Sequence, residues 1–385
     1  MGTRTRRLAS ASRRAAGLVL WIGLAHPAVG AGQTPAIREA AAYAEGIEGA
    51  ERADSSFLSV RDHPDREKLV LALGPIDLPA HSTHHSLKQL PVQQGTVPFD
   101  LTIDGYRVEA VDRDGRPVPQ VVIHHLNLLD PTRRELFLPI MRRVLAASHE
   151  TPPVKVPEVF FGIPLTGGAP FLLLTMLHNP TDVSYEGVEV RLIVNYSRSR
   201  VVPLYRVFPF HMDVMFPLGS KAFDLPPGRF SKSWEGSPAI GGGIIGIGGH
   251  LHRYATELKL EDVTTGRVLY RVEPELGEDG HIAEVPVRRY RGRGIGLHIE
   301  PSHVYRVTAT YVNPTDSVLP EGGMGSVAGA FIADDAARWP WADASNPIFA
   351  RDYENVLTST TMKDMEMPGH DGADHDHGTD SPRGR

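Results

Sequence analysis

Glycine and proline separate short apolar runs along the whole of this sequence, and that pattern is the strongest constraint on its fold. The chain has 38 glycines and 32 prolines in 385 residues. Because both residues favour tight turns and interrupt regular elements, the pattern predicts many short strands rather than long helices. A chain of this length also exceeds one ordinary hydrophobic core. We therefore expect an all-β protein with two antiparallel β-sandwich domains in tandem.

The N-terminus has the features of a secretory signal. Five arginines and no acidic residue precede Ala31, and an apolar run over 15–25 is followed by small residues. We predict a signal peptide over residues 1–31 and an exported protein, periplasmic or extracellular. The pairs Arg6-Arg7 and Arg13-Arg14 leave both the general secretory and the twin-arginine route open. Because Pro27 ends the apolar run early, we expect no membrane span after signal removal.

Charge and cysteine content exclude several functional classes. Without the five arginines of the signal, 35 basic side chains face 46 acidic ones, so the formal charge changes from −6 to −11. Such a protein has no electrostatic reason to bind nucleic acid or an anionic membrane surface. The chain has no cysteine, which excludes thiolate zinc sites, cysteine-ligated iron–sulfur clusters and cysteine nucleophiles. A bound metal would have nitrogen, oxygen or thioether ligands.

The distribution of strand patterns predicts the order of the domains. After the signal we expect a linker over 32–66, an N-terminal sandwich over 67–200, a C-terminal sandwich over 201–350 and a tail over 351–385. The segment 133–148 is helix-like, with Pro139 interrupting it. The glycine-rich segment 241–249 lacks a phosphate-loop motif, and its glycines would let the backbone pass close beneath the site that follows.

His250 and His252 form the clearest candidate site. They begin a segment in which Leu258 and Leu260 alternate with charged residues, as in a half-buried strand. Residues two apart on a strand leave the same face, so both imidazoles could bind one transition metal. The alternative is that each ring is hydrogen-bonded separately on a polar strand face.

A second group of histidines occurs earlier in the chain. His124 and His125 are adjacent, so a regular strand would direct them to opposite faces, and they can share a metal only if the strand kinks. His178 ends a very apolar strand and is either a polar cap or a third ligand for that pair. The loop at 81–85 also has three histidines, but mobile loop histidines usually bind no metal, and we leave them out of the site.

Methionine supplies the remaining candidates. Met324 lies among glycines, where it has little local core to fill and suits a soft metal ligand, although methionine most often packs in cores. The tail is polar, without periodicity, and expected to be disordered. It is either a solvated acidic tail or a loose copper-collecting arm that includes Met362, Met365, Met367, His370, His375 and His377.

Taken in order, the His-His pair, the later single histidine, the His-x-His pair and the methionine resemble a known pattern. The chain resembles the copper type II, ascorbate-dependent monooxygenases, the family of peptidylglycine α-hydroxylating monooxygenase and dopamine β-monooxygenase, as a divergent bacterial-type member. The resemblance covers roughly residues 68–335 and implies two jelly-roll domains with one copper ion in each.

The resemblance implies a division of labour between two copper ions. His124, His125 and His178 would hold the electron-donating copper. His250, His252 and Met324 would hold the catalytic copper, with a position free for O₂. Ascorbate or another one-electron reductant would be the cosubstrate, and the reaction would hydroxylate a C–H bond.

Two departures from the family leave the substrate open. The disulfides of the animal enzymes are absent, and Gly248-Gly249 stand where a carboxylate-binding arginine would be sought. The substrate could be a small molecule or a peptide. An alternative function is an exported copper-binding or buffering protein without catalysis. A third is a metal-free β-sandwich that binds a ligand or glycan.

Overall fold

The computed structural model describes residues 56–84, 86–149, 151, 153–155, 160–197, 205–215, 221–277, 282–290 and 296–358. Strands dominate these residues, and their sheets are almost wholly antiparallel. The predicted all-β class with antiparallel, jelly-roll-like sandwiches is confirmed. No helix in the described part of the chain is long and apolar enough to cross a membrane.

Residues 58–206 form two sheets that enclose the first core. The larger sheet has the order β1-β2-β11-β4-β9-β12, with β5 and β8 also paired to β4, and the smaller has the order β3-β10-β6-β7. Only the β9–β12 pair is parallel in the described strands. The strands are β1 (Leu58–His63), β2 (Lys68–Leu78), β3 (Gln93–Thr96), β4 (Leu101–Val111), β5 (Pro117–Val118), β6 (Ile123–Arg134), β7 (Met141–Ala147), β8 (Val154–Lys155), β9 (Phe161–Leu165), β10 (Pro170–Leu177), β11 (Tyr185–Ser197) and β12 (Tyr205–Arg206).

Alternation along the strands explains how this first core forms. In β11, Val190 and Leu192 point inward and are fully buried, while Arg191 between them is partly exposed. From the smaller sheet, Leu126 and Leu173 contribute to the same core. Inward side chains from two sheets that pack face to face are the basis of a β-sandwich.

Residues 208–333 form the second sandwich. Its two main sheets have the orders β13-β25-β16-β21, with β22 also paired to β16, and β15-β23-β17-β18; two further pairs are β14-β24 and β19-β20. The strands are β13 (Phe208–Asp213), β14 (Phe223–Leu225), β15 (Gly228–Gly236), β16 (Gly242–Leu251), β17 (Ala255–Asp262), β18 (Arg267–Val272), β19 (Glu275–Leu276), β20 (Ile282–Glu284), β21 (Arg288–Arg289), β22 (Leu297–Ile299), β23 (Tyr305–Asn313), β24 (Leu319–Gly323) and β25 (Gly325–Ala333). Phe331 from one sheet and Tyr311 from the other are fully buried in its core.

The predicted helix over 133–148 is wrong. Strand β6 continues to Arg134, a loop covers residues 135–140, and β7 follows. Leu136, Phe137 and Leu138 are all buried, and they pack into the core of the second sandwich. Consecutive residues on a helix point in different directions, whereas a loop inserted between two sandwiches can bury all three.

Two of the predicted limits differ from the structure. Residues 58–63 of the predicted linker form β1, which pairs with β2 along its whole length. Residues 351–358 of the predicted tail belong to α1 (Pro347–Thr358). Phe349, Tyr353 and Leu357 recur every four residues on this helix and are buried together, so packing orders this segment.

Two predicted segments fall outside the described residues. The described residues include neither the signal peptide 1–31 nor the tail after residue 358. The domain limits 67–200 and 201–350 stay predictions.

Candidate metal sites

The adjacent histidines of β6 lie at a β-bulge. His125 is opposite Met176 in β10, but the next residue of β10, Leu177, is opposite Ile123. His124 is therefore an extra residue on β6, and such bulges redirect side chains next to functional sites. The ring centroids of His124 and His125 are 4.2 Å apart. The bulge supplies the kink that the two side chains need to approach one another.

His178 joins this pair from the neighbouring strand. It directly follows β10, and its ring centroid is 5.2 Å from that of His124. Its Nε2 lies 2.6 Å from the carbonyl oxygen of Val121. Because a carbonyl only accepts hydrogen bonds, Nε2 carries the proton and Nδ1 is the nitrogen with a lone pair. A ring oriented in this way is a typical metal ligand.

Two further histidines that sequence analysis did not assign to the site belong to this cluster. The ring of His84 stacks on His124 with a centroid distance of 5.2 Å and an interplanar angle of 17°. The ring of His149 lies 6.5 Å from that of His178. His84 belongs to the loop 81–85 that we left out of the site, and the structure places its ring beside His124. His81, by contrast, pairs on the surface with Asp182.

Long-range hydrogen bonds hold the loop of His84 beside the cluster. Gln89 donates from Nε2 to the carbonyl oxygens of His84 and Leu177, at 3.1 and 2.8 Å. Its Oε1 accepts from the backbone N–H of Leu177 at 2.7 Å. Gln89 and Leu177 are 88 residues apart in sequence, so no local pattern could predict this contact.

The surroundings of His124 favour its neutral imidazole form. Burial, together with the nearby rings of His125 and His178, lowers the pKa of His124 to about 4. Both causes disfavour the positively charged ring. At neutral pH the ring of His124 is therefore uncharged and one of its nitrogens has a lone pair. This neutral form is the one that binds metals.

Each of three rings lies about as far from His124 as two ligands of one metal lie from each other. Imidazoles that bind one tetrahedral metal ion at about 2.0–2.1 Å have ring centroids roughly 5 Å apart. The measured separations around His124 are 4.2, 5.2 and 5.2 Å. Among the described residues, however, no three His, Asp or Glu side chains are arranged around a common metal position. The rings are neighbours but do not converge on one point.

The second group of candidates meets where β16 and β25 begin to separate. His250 lies in β16 opposite Ser326 of β25, and His252 is one residue beyond the end of β16. Their ring centroids are 5.4 Å apart, with the planes nearly perpendicular. Met324 immediately precedes β25, and its carbonyl oxygen accepts from the backbone N–H of His252 at 3.2 Å. The strand pairing thus makes Met324 a neighbour of both histidines.

Tyr311 fixes the backbone of Met324 in this position. Its hydroxyl donates to the carbonyl oxygen of Met324 and accepts from the backbone N–H of Met324. Burial raises the pKa of Tyr311 to about 12, so the hydroxyl keeps its proton at neutral pH. Sequence analysis did not identify Tyr311, because in a strand pattern it is an ordinary core residue.

The glycines near this site let strands approach one another closely. A Cβ atom at Gly249 would overlap the carbonyl oxygen of Ser326, and one at Gly325 would overlap the side chain of Ala309.

The six candidate residues of the tail lie beyond the described part of the chain, and their role stays a prediction.

Comparison with known proteins gives no functional assignment. No family model and no curated protein matches the chain. Among solved structures, the STIV MCP has 11% identity and a TM-score of 0.35, over 70% of this chain and 97% of that one. A structure of Sulfolobus Turreted Icosahedral Virus has 10% identity and a TM-score of 0.31, over 77% and 98%. PNGF-II has 8% identity and a TM-score of 0.34, over 73% and 62%. Scores at this level carry no conclusion about the activity of this protein.

Proposed function

We propose that this protein is an exported dicopper monooxygenase that hydroxylates a C–H bond with O₂ and a one-electron reductant such as ascorbate. The bulge at His124 is the observation that supports the proposal most directly. Without it, adjacent histidines on a strand would face opposite sides and could not share a metal. With the bulge, His124 and His125 can belong to one donor set made of imidazoles. His250, His252 and Met324 offer a second, unlike set of two imidazoles and a thioether.

The first donor set fits a copper ion that changes oxidation state. His124, His125 and His178 offer imidazole nitrogens, which bind both Cu(I) and Cu(II). The hydrogen bond from His178 Nε2 to Val121 leaves Nδ1 as the nitrogen that could bind the metal.

The second donor set fits a copper ion with an open coordination position. His250 and His252 would hold the metal, and Met324 would add a soft thioether that favours Cu(I). When bound, copper would supply electron transfer and O₂ activation. The residues of the chain position this donor set: Tyr311 and the N–H of His252 hold the backbone of Met324.

An exported copper-binding or buffering protein is the second candidate function. The first cluster favours it, because five histidine rings lie within 6.5 Å of a neighbouring ring in that cluster. That is more imidazole than one electron-donating copper needs. In this case the two sandwiches would bind copper without turnover.

Copper content and oxygen uptake separate the two functions. Purified full-length protein loaded with copper and then desalted should contain two copper ions per chain, and truncation after Met362 should not change this number. Ascorbate should then produce oxygen uptake above that of free copper, and the double variant His250→Ala, His252→Ala should abolish the excess. Loss of most copper on truncation would support buffering, as would two bound coppers without ascorbate-dependent oxygen uptake.

A further inference from the structure

Strand β15 leaves one edge of its sheet open. It pairs with β23 along all nine of its residues, and the register of this pair has no bulge. None of the described strands pairs with the other side of β15. The backbone N–H and C=O groups of an open edge can pair with a further strand, and proteins usually prevent this with short edge strands, bulges or proline. β15 has none of these three protections.

The sequence of β15 is complementary to itself in the antiparallel direction. Its exposed residues alternate with partly buried ones, and Lys232 is at its centre. If two copies of β15 paired antiparallel about Lys232, the residues opposite one another would lie on the same face. The opposing pairs would be Gly228 with Gly236, Arg229 with Glu235, Phe230 with Trp234 and Ser231 with Ser233. Each charge would therefore face the opposite charge, each aromatic ring an aromatic ring and each hydroxyl a hydroxyl.

A row of alternating charges crosses the exposed face of this sheet and ends at the open edge. Arg306 of β23 lies between Glu261 of β17 and Glu235 of β15. Its guanidinium donates to Glu261 at 3.2 Å and to Glu235 at 2.6 Å. The last charge of the row is thus the carboxylate of Glu235. Arg229 of a second copy would continue the alternation with a positive charge.

We propose that β15 is a homodimer interface, in which two copies of this chain pair antiparallel, edge to edge, about a two-fold axis at Lys232. A two-fold contact uses the same surface of both copies, and a self-complementary strand supplies such a surface. The two four-stranded sheets would join into one sheet of eight strands. This inference does not depend on the proposed copper function, because it uses none of the histidine sites.

Lys232 is the one residue of β15 that would face its own copy. Like charges directly opposite one another are unfavourable, and an edge lysine limits strand pairing. We therefore expect a reversible dimer, and Lys232→Gln should lower its dissociation constant. An unchanged or higher dissociation constant in this variant would contradict a two-fold axis at Lys232.

Analytical ultracentrifugation of the purified protein tests the dimer. Between about 1 and 100 μM, a range suited to a reversible contact, the wild type should show a concentration-dependent dimer. Arg229→Glu should raise the dissociation constant at least about 10-fold, because two attractive pairs become repulsive. Arg66→Glu makes the same change of charge at an exposed position of the first sandwich and should leave the dissociation constant unchanged. Thermal unfolding of each variant shows whether the fold is retained.

A charge exchange between two variants identifies the register. Arg229→Glu and Glu235→Arg should each be mainly monomeric alone, because each places like charges opposite one another. Mixed together they should form a heterodimer, in which both pairs again have opposite charges. Mixing cannot repair a misfolded chain, so this recovery is specific to the interface. A wild type that stays monomeric over the whole concentration range, a dimer that Arg229→Glu leaves intact, or a mixture that stays monomeric would overturn the proposal.

Discussion

Met324 is positioned through its backbone, and Tyr311 is the residue that holds it. The hydroxyl of Tyr311 bonds to both the N–H and the carbonyl oxygen of Met324. The same carbonyl also accepts from His252. A side-chain ligand of low intrinsic affinity, such as a thioether, depends strongly on being held in place before the metal binds.

At the residue scale, Tyr311→Phe should weaken both the fold and the second site. Removal of the hydroxyl leaves the N–H of Met324 without this acceptor, which should lower the free energy of unfolding by about 1–3 kcal/mol. Cu(I) affinity, measured by competition with a chelator, should fall as well. Tyr106→Phe removes a hydroxyl that donates to Ala146 in the first sandwich, and it should not change Cu(I) affinity at the second site. Equal Cu(I) affinity in Tyr311→Phe and wild type would show that the hydrogen bonds of Tyr311 to Met324 have no role in Cu(I) binding.

Strand β16 packs so closely on β25 that Gly249 of β16 has no room for a side chain. A Cβ at Gly249 would overlap the carbonyl oxygen of Ser326 and the side chain of Leu258. A Cβ at Gly246, three residues earlier on the same strand, would approach only the carbonyl oxygen of Arg288, at 4.0 Å. Gly246 is therefore a matched control for Gly249.

At the element scale, Gly249→Ala should separate the two strands next to His250. Overpacking of this kind lowers the free energy of unfolding by about 1–3 kcal/mol, which chemical denaturation can measure. Gly246→Ala should change the free energy of unfolding far less, because its backbone conformation and surroundings accept a methyl group. Equal denaturation midpoints for the two variants would contradict the close approach described here.

The elements also show where sequence-based prediction succeeds and where it ends. Alternation predicted the strands, because a half-buried strand must alternate whatever it pairs with. The bulge at His124 could not be predicted, since it arises from the register of β6 against β10. The position of His84 depends on Gln89 contacting a strand 88 residues away. Features of this kind require the tertiary structure.

At the scale of the whole molecule, an inserted loop joins the two sandwiches, and a buried ion pair holds α1 against the first. Leu136 and Phe137 leave the first sandwich and pack in the second core. Arg143 of β7 pairs with Asp352 of α1 at 2.8 Å. Asp352 also accepts from the N–H of Met141 at 2.9 Å and is only 3% exposed. Sequence analysis predicted a helix over 133–148, because an apolar run without alternation fits a helix as well as a buried loop.

Asp352→Asn should weaken the attachment of α1 to the first sandwich. The substitution leaves the guanidinium of Arg143 without its buried carboxylate partner, which typically costs about 3–5 kcal/mol. Urea denaturation of the full chain measures this loss. Arg113→Ala removes an exposed pair with Glu186 and serves as the control, with little expected change in the midpoint. A similar small effect for both variants would show that α1 is not held by its charge pair.

Under the proposed function the two histidine sites would be unlike, coupled copper sites, and reoxidation of bound copper tests this proposal most directly. Wild type, His178→Ala and Met324→Ala are each loaded with copper, reduced anaerobically with ascorbate and mixed with O₂, while Cu(I) loss and peroxide or product are followed. Met324→Ala should still bind Cu(II) but reoxidise slowly, because its second site has lost the soft ligand. His178→Ala should still lose the Cu(I) of its second site to O₂ but form little product, because hydroxylation needs two electrons and this variant has lost the donor of one of them. Reoxidation of both variants at the wild-type rate would contradict the claim and leave a copper-binding protein without coupled sites.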